Sequence, residues 1–272
     1  MPTSAAVKAS AKLALKDKWP TALGIGSIIF SVYCLNIVIA QIVSTLLQPI
    51  VNEIWLTVIA VLSMLLFCQF FFAPLLYGAL RWFWFGSLDN DVSVNEIFYY
   101  FSSLKLYLRA LSLSVRIFTR VIGVLFICFL PALIVGAVAS PTTYEILGSE
   151  MPYWATYVWM LFNVLAMFGI IMSFIMLLRY FAAPILMIND AGISPQEALH
   201  LSVIISKNAN GKTFSFVMSF FAWGLLSLLY IPMIFTLPYF ICSYAIYCKN
   251  LIANYNNMVA PPPPTFTGYN TF

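Results

Sequence analysis

Long apolar runs constrain the fold of this chain more than any other feature of its sequence. A soluble domain is roughly half apolar and about a quarter charged, whereas 62% of these 272 residues are hydrophobic and 8% are charged. A bilayer accepts such a chain if its backbone amides are paired within helices or a closed barrel. Barrel strands alternate over short segments, so the long unbroken runs predict an all-α, polytopic membrane protein.

Six segments come close to or exceed the roughly 20 apolar residues that a spanning helix needs. They cover residues 21–47, 54–83, 121–140, 153–178, 213–231 and 235–252. The last two are separated only by the residues around Pro232, so they form either a tight hairpin or one long kinked helix. We favour the hairpin, because about 40 residues at 1.5 Å each would overshoot a bilayer roughly twofold. The predicted membrane domain covers residues 1–255.

The 13 basic residues indicate the orientation of the spans. In a six-span topology, all of them fall in the N-terminal segment, in the second and fourth loops with their flanks, or near the C-terminal end. The first and third loops carry no lysine or arginine, and their charged residues are Glu53, Glu145 and Glu150. The positive-inside rule therefore places both termini in the cytoplasm. A cleavable signal peptide is not expected, since a polar N-terminal helix leads into an apolar run longer than a signal core.

Three amphipathic segments are predicted to lie in the cytoplasmic headgroup layer, over residues 4–18, 94–112 and 195–209. The second and third follow the pattern S-x-x-E, with Ser93 before Glu96 and Ser194 before Glu197. In a capping box of this kind, the serine and the glutamate each bind a free backbone N–H at the start of a helix. After Ser93, apolar residues recur at helical spacing, which is typical of an interfacial helix.

The order of these elements predicts a threefold repeat of one interfacial helix followed by a transmembrane hairpin. Pro74, Pro184 and Pro238 mark comparable places, in the second spanning helix of each unit or just after it. A proline there frees a backbone carbonyl and permits a kink. The alternative is that similar caps and prolines occur independently at membrane boundaries.

Basic residues of the amphipathic segments and their flanks are the candidate contacts for lipid headgroups, because lysine and arginine bind anionic lipid at a bilayer boundary. The predicted contacts are Lys8, Lys12, Lys16, Lys105, Arg109, Lys207 and Lys212.

Amide side chains are the candidate polar contacts inside the membrane. These are Asn36, Gln41, Gln69 and Asn163. Such amides commonly hydrogen-bond between helices, and the alternative is that they line a substrate path. The six span interiors hold no clear ionisable residue, so an ion-coupled pump is not expected.

Motifs for catalysis, metal or cofactor binding are not recognisable in the sequence. The single histidine, His200, is interpreted as an ordinary interfacial residue, and the cysteines as small buried apolar side chains without C-x-x-C spacing. The cysteines are Cys34, Cys68, Cys128, Cys242 and Cys248. No nucleotide-binding glycine motif is present, and nucleic-acid binding would need a soluble basic face. We therefore expect no enzyme activity, no cofactor and no nucleic-acid partner.

The last 80 or so residues resemble a known family. Its C-terminal signature is matched by Glu197-Ala198, Ser202, Lys207, Gly211-Lys212, Phe214, Ser219-Phe220, Trp223, Leu225-Leu226, Pro238-Tyr239, Ala245 and Tyr247. The opening Ala14-Leu15-Lys16 with Trp19 also looks like the start of that family, the bacterial integral membrane proteins known as domain of unknown function 975. Members usually carry a glycine-rich turn where this chain has Tyr230-Ile231-Pro232-Met233. The resemblance implies a bacterial cell membrane and brings no activity or functional residues.

Two functional hypotheses follow from the sequence. The first, which we favour, is a non-enzymatic membrane subunit or scaffold that engages lipid headgroups, or a membrane or cytoplasmic protein partner. The second is a passive transporter or lipid-handling protein that uses the interior of the helix bundle, and an intramembrane enzyme ranks third. Residues 256–272 form a cytoplasmic tail in which Pro261 to Pro264 favour polyproline II, either free or docked on a partner.

Overall fold

A computed structural model of the chain describes most of its residues. The described residues are 2–87, 92–139, 145, 152–207, 209–227 and 231–259. Within these ranges the chain forms helices and no strand, as expected for an all-α membrane protein.

The α-helices are named in chain order. They are α1 (Ser4–Leu15), α2 (Trp19–Leu47), α3 (Glu53–Phe67), α4 (Ala73–Gly86), α5 (Leu104–Ala139), α6 (Tyr153–Leu177), α7 (Ala183–Asn189), α8 (Pro195–Ser206), α9 (Asn210–Met218), α10 (Phe221–Ser227) and α11 (Ile231–Val259). A π-helical turn, Cys68–Phe72, joins α3 to α4, and two 3-10 helices cover Val94–Phe101 and Leu178–Tyr180.

Among the described residues, four helical stretches are long and apolar enough to cross a membrane. They are Trp19–Leu47, Trp55–Gly86, Leu104–Ala137 and Tyr153–Asn189. These stretches overlap the first four predicted spans, and the prediction of six is not confirmed.

The region predicted to hold the last two spans has a different structure. Residues 213–227 are not one continuous helix, because a turn at Ser219 and Phe220 separates α9 from α10. Residues 232–234 do not form a hairpin turn either, since α11 is continuous from Ile231 to Val259. Pro232 is the second residue of α11, where its missing N–H would have no partner in any case. Residues 256–259 of the predicted tail belong to α11, and residues 260–272 lie outside the described ranges.

The helix predicted over residues 94–112 is also divided. Its first part is the 3-10 helix Val94–Phe101, and its second part belongs to α5, which continues through the predicted third span. Two serines account for the break. Ser102 Oγ donates a hydrogen bond to the Tyr99 carbonyl at 2.8 Å, and Ser103 Oγ accepts one from the Leu106 N–H at 3.4 Å.

One of the two predicted capping boxes is present. At the start of α8, Ser194 Oγ accepts from the Glu197 N–H at 3.2 Å, and Glu197 Oε2 accepts from the Ser194 N–H at 2.9 Å. The hydrogen bond that the carboxylate accepts from the Ser194 N–H, together with the Ser194 side chain, holds the pKa of Glu197 below its usual value. The box predicted at Ser93 is wrong, because the Glu96 carboxylate pairs with Arg81 instead of the Ser93 N–H.

The threefold repeat is not confirmed. Pro74 and Pro184 share one arrangement, since each opens a short α-helix directly after a π or 3-10 turn. Pro238 differs, because it lies inside α11. The third unit therefore lacks the proline arrangement of the first two and their long apolar hairpin.

The buried core lies at one end of the candidate spans. Core residues come from α1, the start of α2, α4, the start of α5, α7, α8, α9 and α11. The rest of α2 and α3, and most of α5 and α6, expose large apolar side chains. We call the packed end, with its short helices, the base. Hydrocarbon suits the exposed side chains of the long helices, whereas the base forms its own interior.

Helices α5 and α6 pack antiparallel along their length. A Cβ atom added to Gly136 would lie 2.9 Å from the Phe162 ring, and one added to Gly169 would lie 3.0 Å from the Cys128 carbonyl oxygen. The later residue of α5 thus faces the earlier residue of α6, as expected for an antiparallel pair. Small residues at such contacts let two membrane helices approach closely.

Candidate functional site

The basic residues predicted to contact lipid headgroups divide into two groups. Lys12, Lys16, Lys105, Lys207 and Lys212 are exposed on elements of the base. The other two, Lys8 and Arg109, are partly buried and bind backbone carbonyls. The predicted set thus combines an exposed cationic surface with two side chains that hold the base together.

Lys8 joins α1 to the junction between α9 and α10. Its Nζ donates to the Ser219 carbonyl oxygen at 2.5 Å and lies 4.2 Å from the centroid of the Phe220 ring. The Tyr239 hydroxyl in turn donates to the Lys8 carbonyl at 3.5 Å. Desolvation lowers the pKa of Lys8, while the carbonyl and the ring face stabilise its charged form.

Arg109 joins α5 to the loop between α7 and α8. Its guanidinium donates to the Asp190 carbonyl at 2.9 Å and to the Ile193 carbonyl at 2.6 Å. One planar guanidinium can satisfy both acceptors at once. Arg109 therefore positions the start of α8, a structural role that sequence reasoning missed.

Replacing Arg109 with alanine is expected to destabilise the protein by roughly 2 kcal/mol, because hydrogen bonds to charged groups contribute about 1.5–3 kcal/mol. The measurement is thermal unfolding of the full chain in mild detergent. Lys105→Ala is the matched control, since Lys105 is exposed one turn earlier on α5, and its unfolding temperature should stay within about 1 °C of the wild type. Equal destabilisation by both substitutions would contradict this role of Arg109.

An ion pair that the sequence did not predict fixes the first 3-10 helix to α4. Arg81 Nε lies 2.5 Å from Glu96 Oε2. The guanidinium also lies over two aromatic rings, 3.8 Å from the Tyr99 centroid and 4.8 Å from the Phe85 centroid. Nearby, burial raises the pKa of Tyr100 to about 12. The sequence signal for this pair was Glu96 itself, which the capping-box pattern assigned to another role.

In the described residues, no two of the four predicted intramembrane amides are hydrogen-bonded to each other. Gln69 accepts a hydrogen bond from the Ser114 hydroxyl, which links the π turn to α5. Asn163 donates to the Trp159 carbonyl of its own helix at 2.8 Å, and Gln41 is exposed. Asn36 is buried, and its Oδ1 has no hydrogen-bond partner in the part of the chain that the structure describes. These positions do not outline a continuous polar path.

A groove of about 590 Å³ lies between α6, α9, α10 and α11. Its walls are aromatic and aliphatic, and they include Phe174, Val217, Trp223, Leu237 and Phe240. The lining hydroxyls of Ser227 and Thr236 lie 2.6 Å apart and hydrogen-bond to each other. None of the four predicted amides lines this groove. Its chemistry suits an apolar ligand better than a polar solute.

Residues that could carry chemistry are scattered in the described part of the chain. No group of three or more histidine, cysteine, aspartate or glutamate side chains there could hold a metal ion. His200 is exposed on α8. Cys242 and Cys248 are buried, as predicted, whereas Cys34, Cys68 and Cys128 are half-buried, and all five are free thiols.

Residues of the matched signature pack inside the base. Ser202 Oγ donates to the Arg179 carbonyl at 2.8 Å, and the Tyr247 and Thr213 hydroxyls are 2.8 Å apart. Tyr247 also stacks on Phe216, with ring centroids 4.4 Å apart. The buried members of the C-terminal signature thus make packing contacts within the base, whereas Lys207, Lys212 and Trp223 of the same signature are exposed.

Taken together, the four apolar helical stretches and the packed base define an all-helical membrane protein. The chain belongs to the family described as protein of unknown function (DUF975), whose model matches residues 1–255. No match was found among curated proteins or among solved structures.

Proposed function

We propose that this protein is a non-enzymatic integral membrane subunit or scaffold of a bacterial cell membrane. In this proposal its base lies at the cytoplasmic face, both termini are cytoplasmic, and the exposed cations engage lipid headgroups or a protein partner. The observation that carries the proposal is that, in the described residues, no two of Asn36, Gln41, Gln69 and Asn163 are hydrogen-bonded to each other and none lines the groove. A pathway for polar solutes needs such groups to line a common cavity.

An apolar ridge on the base supports placement at the membrane boundary. Phe98, Phe101, Leu104 and Leu108 are all exposed on the first 3-10 helix and the start of α5, with exposed Lys105 among them. Apolar side chains beside a cation are typical of a surface that lies in the headgroup layer. The same ridge also suits a protein partner at this level.

The proposed orientation predicts opposite labelling of two exposed positions, Lys105 on the base and Glu145 between α5 and α6. In a variant lacking the five native cysteines, Glu145→Cys should react with a membrane-impermeant maleimide in intact cells. Lys105→Cys should react only after the cells are permeabilised. The reverse pattern would place the base outside the cytoplasm and overturn the orientation.

Vesicle reconstitution distinguishes a scaffold from a transporter. Vesicles carrying the purified chain should retain entrapped potassium, amino acids and small sugars as well as vesicles without protein. Solute flux that scales with the amount of protein and disappears in Asn36→Leu would overturn the scaffold proposal in favour of the passive transporter. Asn163→Leu is the control, since Asn163 is exposed and hydrogen-bonds only within its own helix.

Lipid handling is the second candidate function, and the apolar groove is the observation that favours it. A protein that moves lipid between leaflets should equalise a fluorescent phospholipid across the same vesicles. A scaffold should leave the label asymmetric over the same period.

A further inference from the structure

From the groove between α6, α9, α10 and α11, we infer a bound ligand: one acyl chain of an anionic phospholipid, with the headgroup at the cationic side of the groove. This site is a stable binding site on the protein surface, and it is independent of whether the protein acts as a scaffold. The argument rests on the shape of the groove, its surroundings and the charges beside it.

The size of the groove favours a slender occupant. A helix with its side chains is about 10–12 Å across with a pitch of 5.4 Å, so a single turn fills roughly 400–600 Å³. The groove, at about 590 Å³, holds little more than one such turn. A hydrocarbon chain is thinner and flexible, and it can follow the apolar walls along their length.

The surroundings of the groove favour an occupant that comes from the bilayer. Phe174, on one wall, belongs to the candidate span Tyr153–Asn189. On the opposite wall, Phe221 and Trp223 are 62% and 43% exposed, and Leu225 is 53% exposed. A groove that continues onto exposed apolar side chains at a spanning helix is accessible to lipid chains, and filling it removes apolar surface from contact with water.

Three cations lie near a lining residue of the groove or on elements that adjoin its walls. The Lys8 ammonium sits over the ring of Phe220, which lines the groove. Arg179 lies in the 3-10 helix that follows α6, Lys212 lies on α9, and both are exposed. Because α9 contacts that 3-10 helix, the two exposed cations belong to the same corner of the base. An anionic headgroup complements this charge better than a zwitterionic one.

Gly224 is a position at which a larger side chain would enter the groove. It lines the groove, and a Cβ atom added there would meet no atom within 4 Å among the described residues. Gly24 on α2 is the matched control, since it is exposed and also has open space around its Cβ position. Gly224→Leu should therefore displace lipid, whereas Gly24→Leu should not.

The experiment titrates delipidated full-length protein in detergent with phosphatidylglycerol brominated on its acyl chains, and follows tryptophan fluorescence. Bromine quenches a nearby indole, and Trp223 lines the groove. Quenching should saturate near about one lipid per chain, as expected for one groove. Because the leucine side chain would occupy space that the acyl chain fills, Gly224→Leu should weaken binding at least about tenfold, and Gly24→Leu should match the wild type.

Several outcomes would overturn the inference. Non-saturating quenching, or equal binding by wild type and Gly224→Leu, would exclude a lipid site in the groove. Undiminished saturable quenching in Trp223→Phe would place the lipid elsewhere. This variant also tests the lipid site if Gly224→Leu does not fold. Equal affinity for brominated phosphatidylcholine would show that the site does not prefer an anionic headgroup. A dimer that Gly224→Leu converts to a monomer, without saturable quenching in the wild type, would assign the groove to a second copy of the chain.

Discussion

Replacing Gly78 with alanine is expected to lower the unfolding temperature of the full chain in mild detergent by on the order of 10 °C. A Cβ atom at this position on α4 would lie 1.9 Å from the Ile97 carbonyl oxygen and 2.6 Å from the Ile97 carbonyl carbon. These are backbone atoms of the first 3-10 helix, so rotation of a side chain cannot relieve the clash. The 3-10 helix must move away from α4, which disrupts the burial of Ile97 and Tyr100 and costs roughly 3 kcal/mol or more.

The control for this prediction is Gly24→Ala on α2, where an added Cβ meets no atom within 4 Å among the described residues. Its unfolding temperature should be unchanged or slightly higher, because alanine favours a helix over glycine by up to about 1 kcal/mol. If Gly78→Ala unfolds at the temperature of Gly24→Ala, the close contact between α4 and the 3-10 helix is wrong.

Replacing Phe216 with alanine is expected to cost about 3–5 kcal/mol of stability. Phe216 on α9 is fully buried at the centre of an aromatic cluster. Its ring stacks on Tyr247 at 4.4 Å and meets Phe220 at 5.4 Å and Phe181 at 6.2 Å in edge-to-face geometry. Truncation leaves a cavity between α9, α11 and the segment after α6, and the neighbouring rings lose their contacts.

Phe221→Ala is the comparison for Phe216→Ala, because Phe221 has the same side chain and is 62% exposed. The change in its unfolding temperature should correspond to less than about 1 kcal/mol. Chemical denaturation followed by near-ultraviolet circular dichroism would report the loss of aromatic packing directly. Similar destabilisation by the two substitutions would mean that Phe216 is not the centre of the cluster.

Two tyrosines of the C-terminal signature make packing contacts across the base. Tyr239 and Tyr247 both lie on α11. The Tyr239 hydroxyl contacts α1, and the Tyr247 hydroxyl contacts α9. Such residues hold the base together, so their role in this chain is to stabilise the fold.

The cationic residues show what a linear sequence cannot distinguish. Lys12 and Lys8 lie one helical turn apart on α1, and both fit a basic stripe facing lipid headgroups. In the structure Lys12 is exposed, whereas Lys8 binds the Ser219 carbonyl, 211 positions further along the chain. Charge and spacing predict a stripe on a helix, but only the packing of a distant segment decides which charges remain available.

Local signals were reliable where short-range forces dominate. The box at Ser194 forms because Ser194 and Glu197 each accept a backbone N–H within one turn, and Pro195 has no N–H to satisfy. The identical spacing at Ser93 fails because Arg81, brought close by α4, offers Glu96 a charged partner. A long-range ion pair thus overrides a local capping preference.

By itself, the sequence determined the class of this protein, since 62% hydrophobic residues in long runs require lipid around helices of spanning length. It also determined the first four apolar helices and the cap of α8, which depend on composition and on neighbours in the chain. Only the tertiary structure decided that α11 is one continuous helix, which partners the amides bind, and that an apolar groove lies beside Gly224. The physical reason is that these features depend on contacts between residues far apart in the chain, which hydropathy and helical periodicity do not encode.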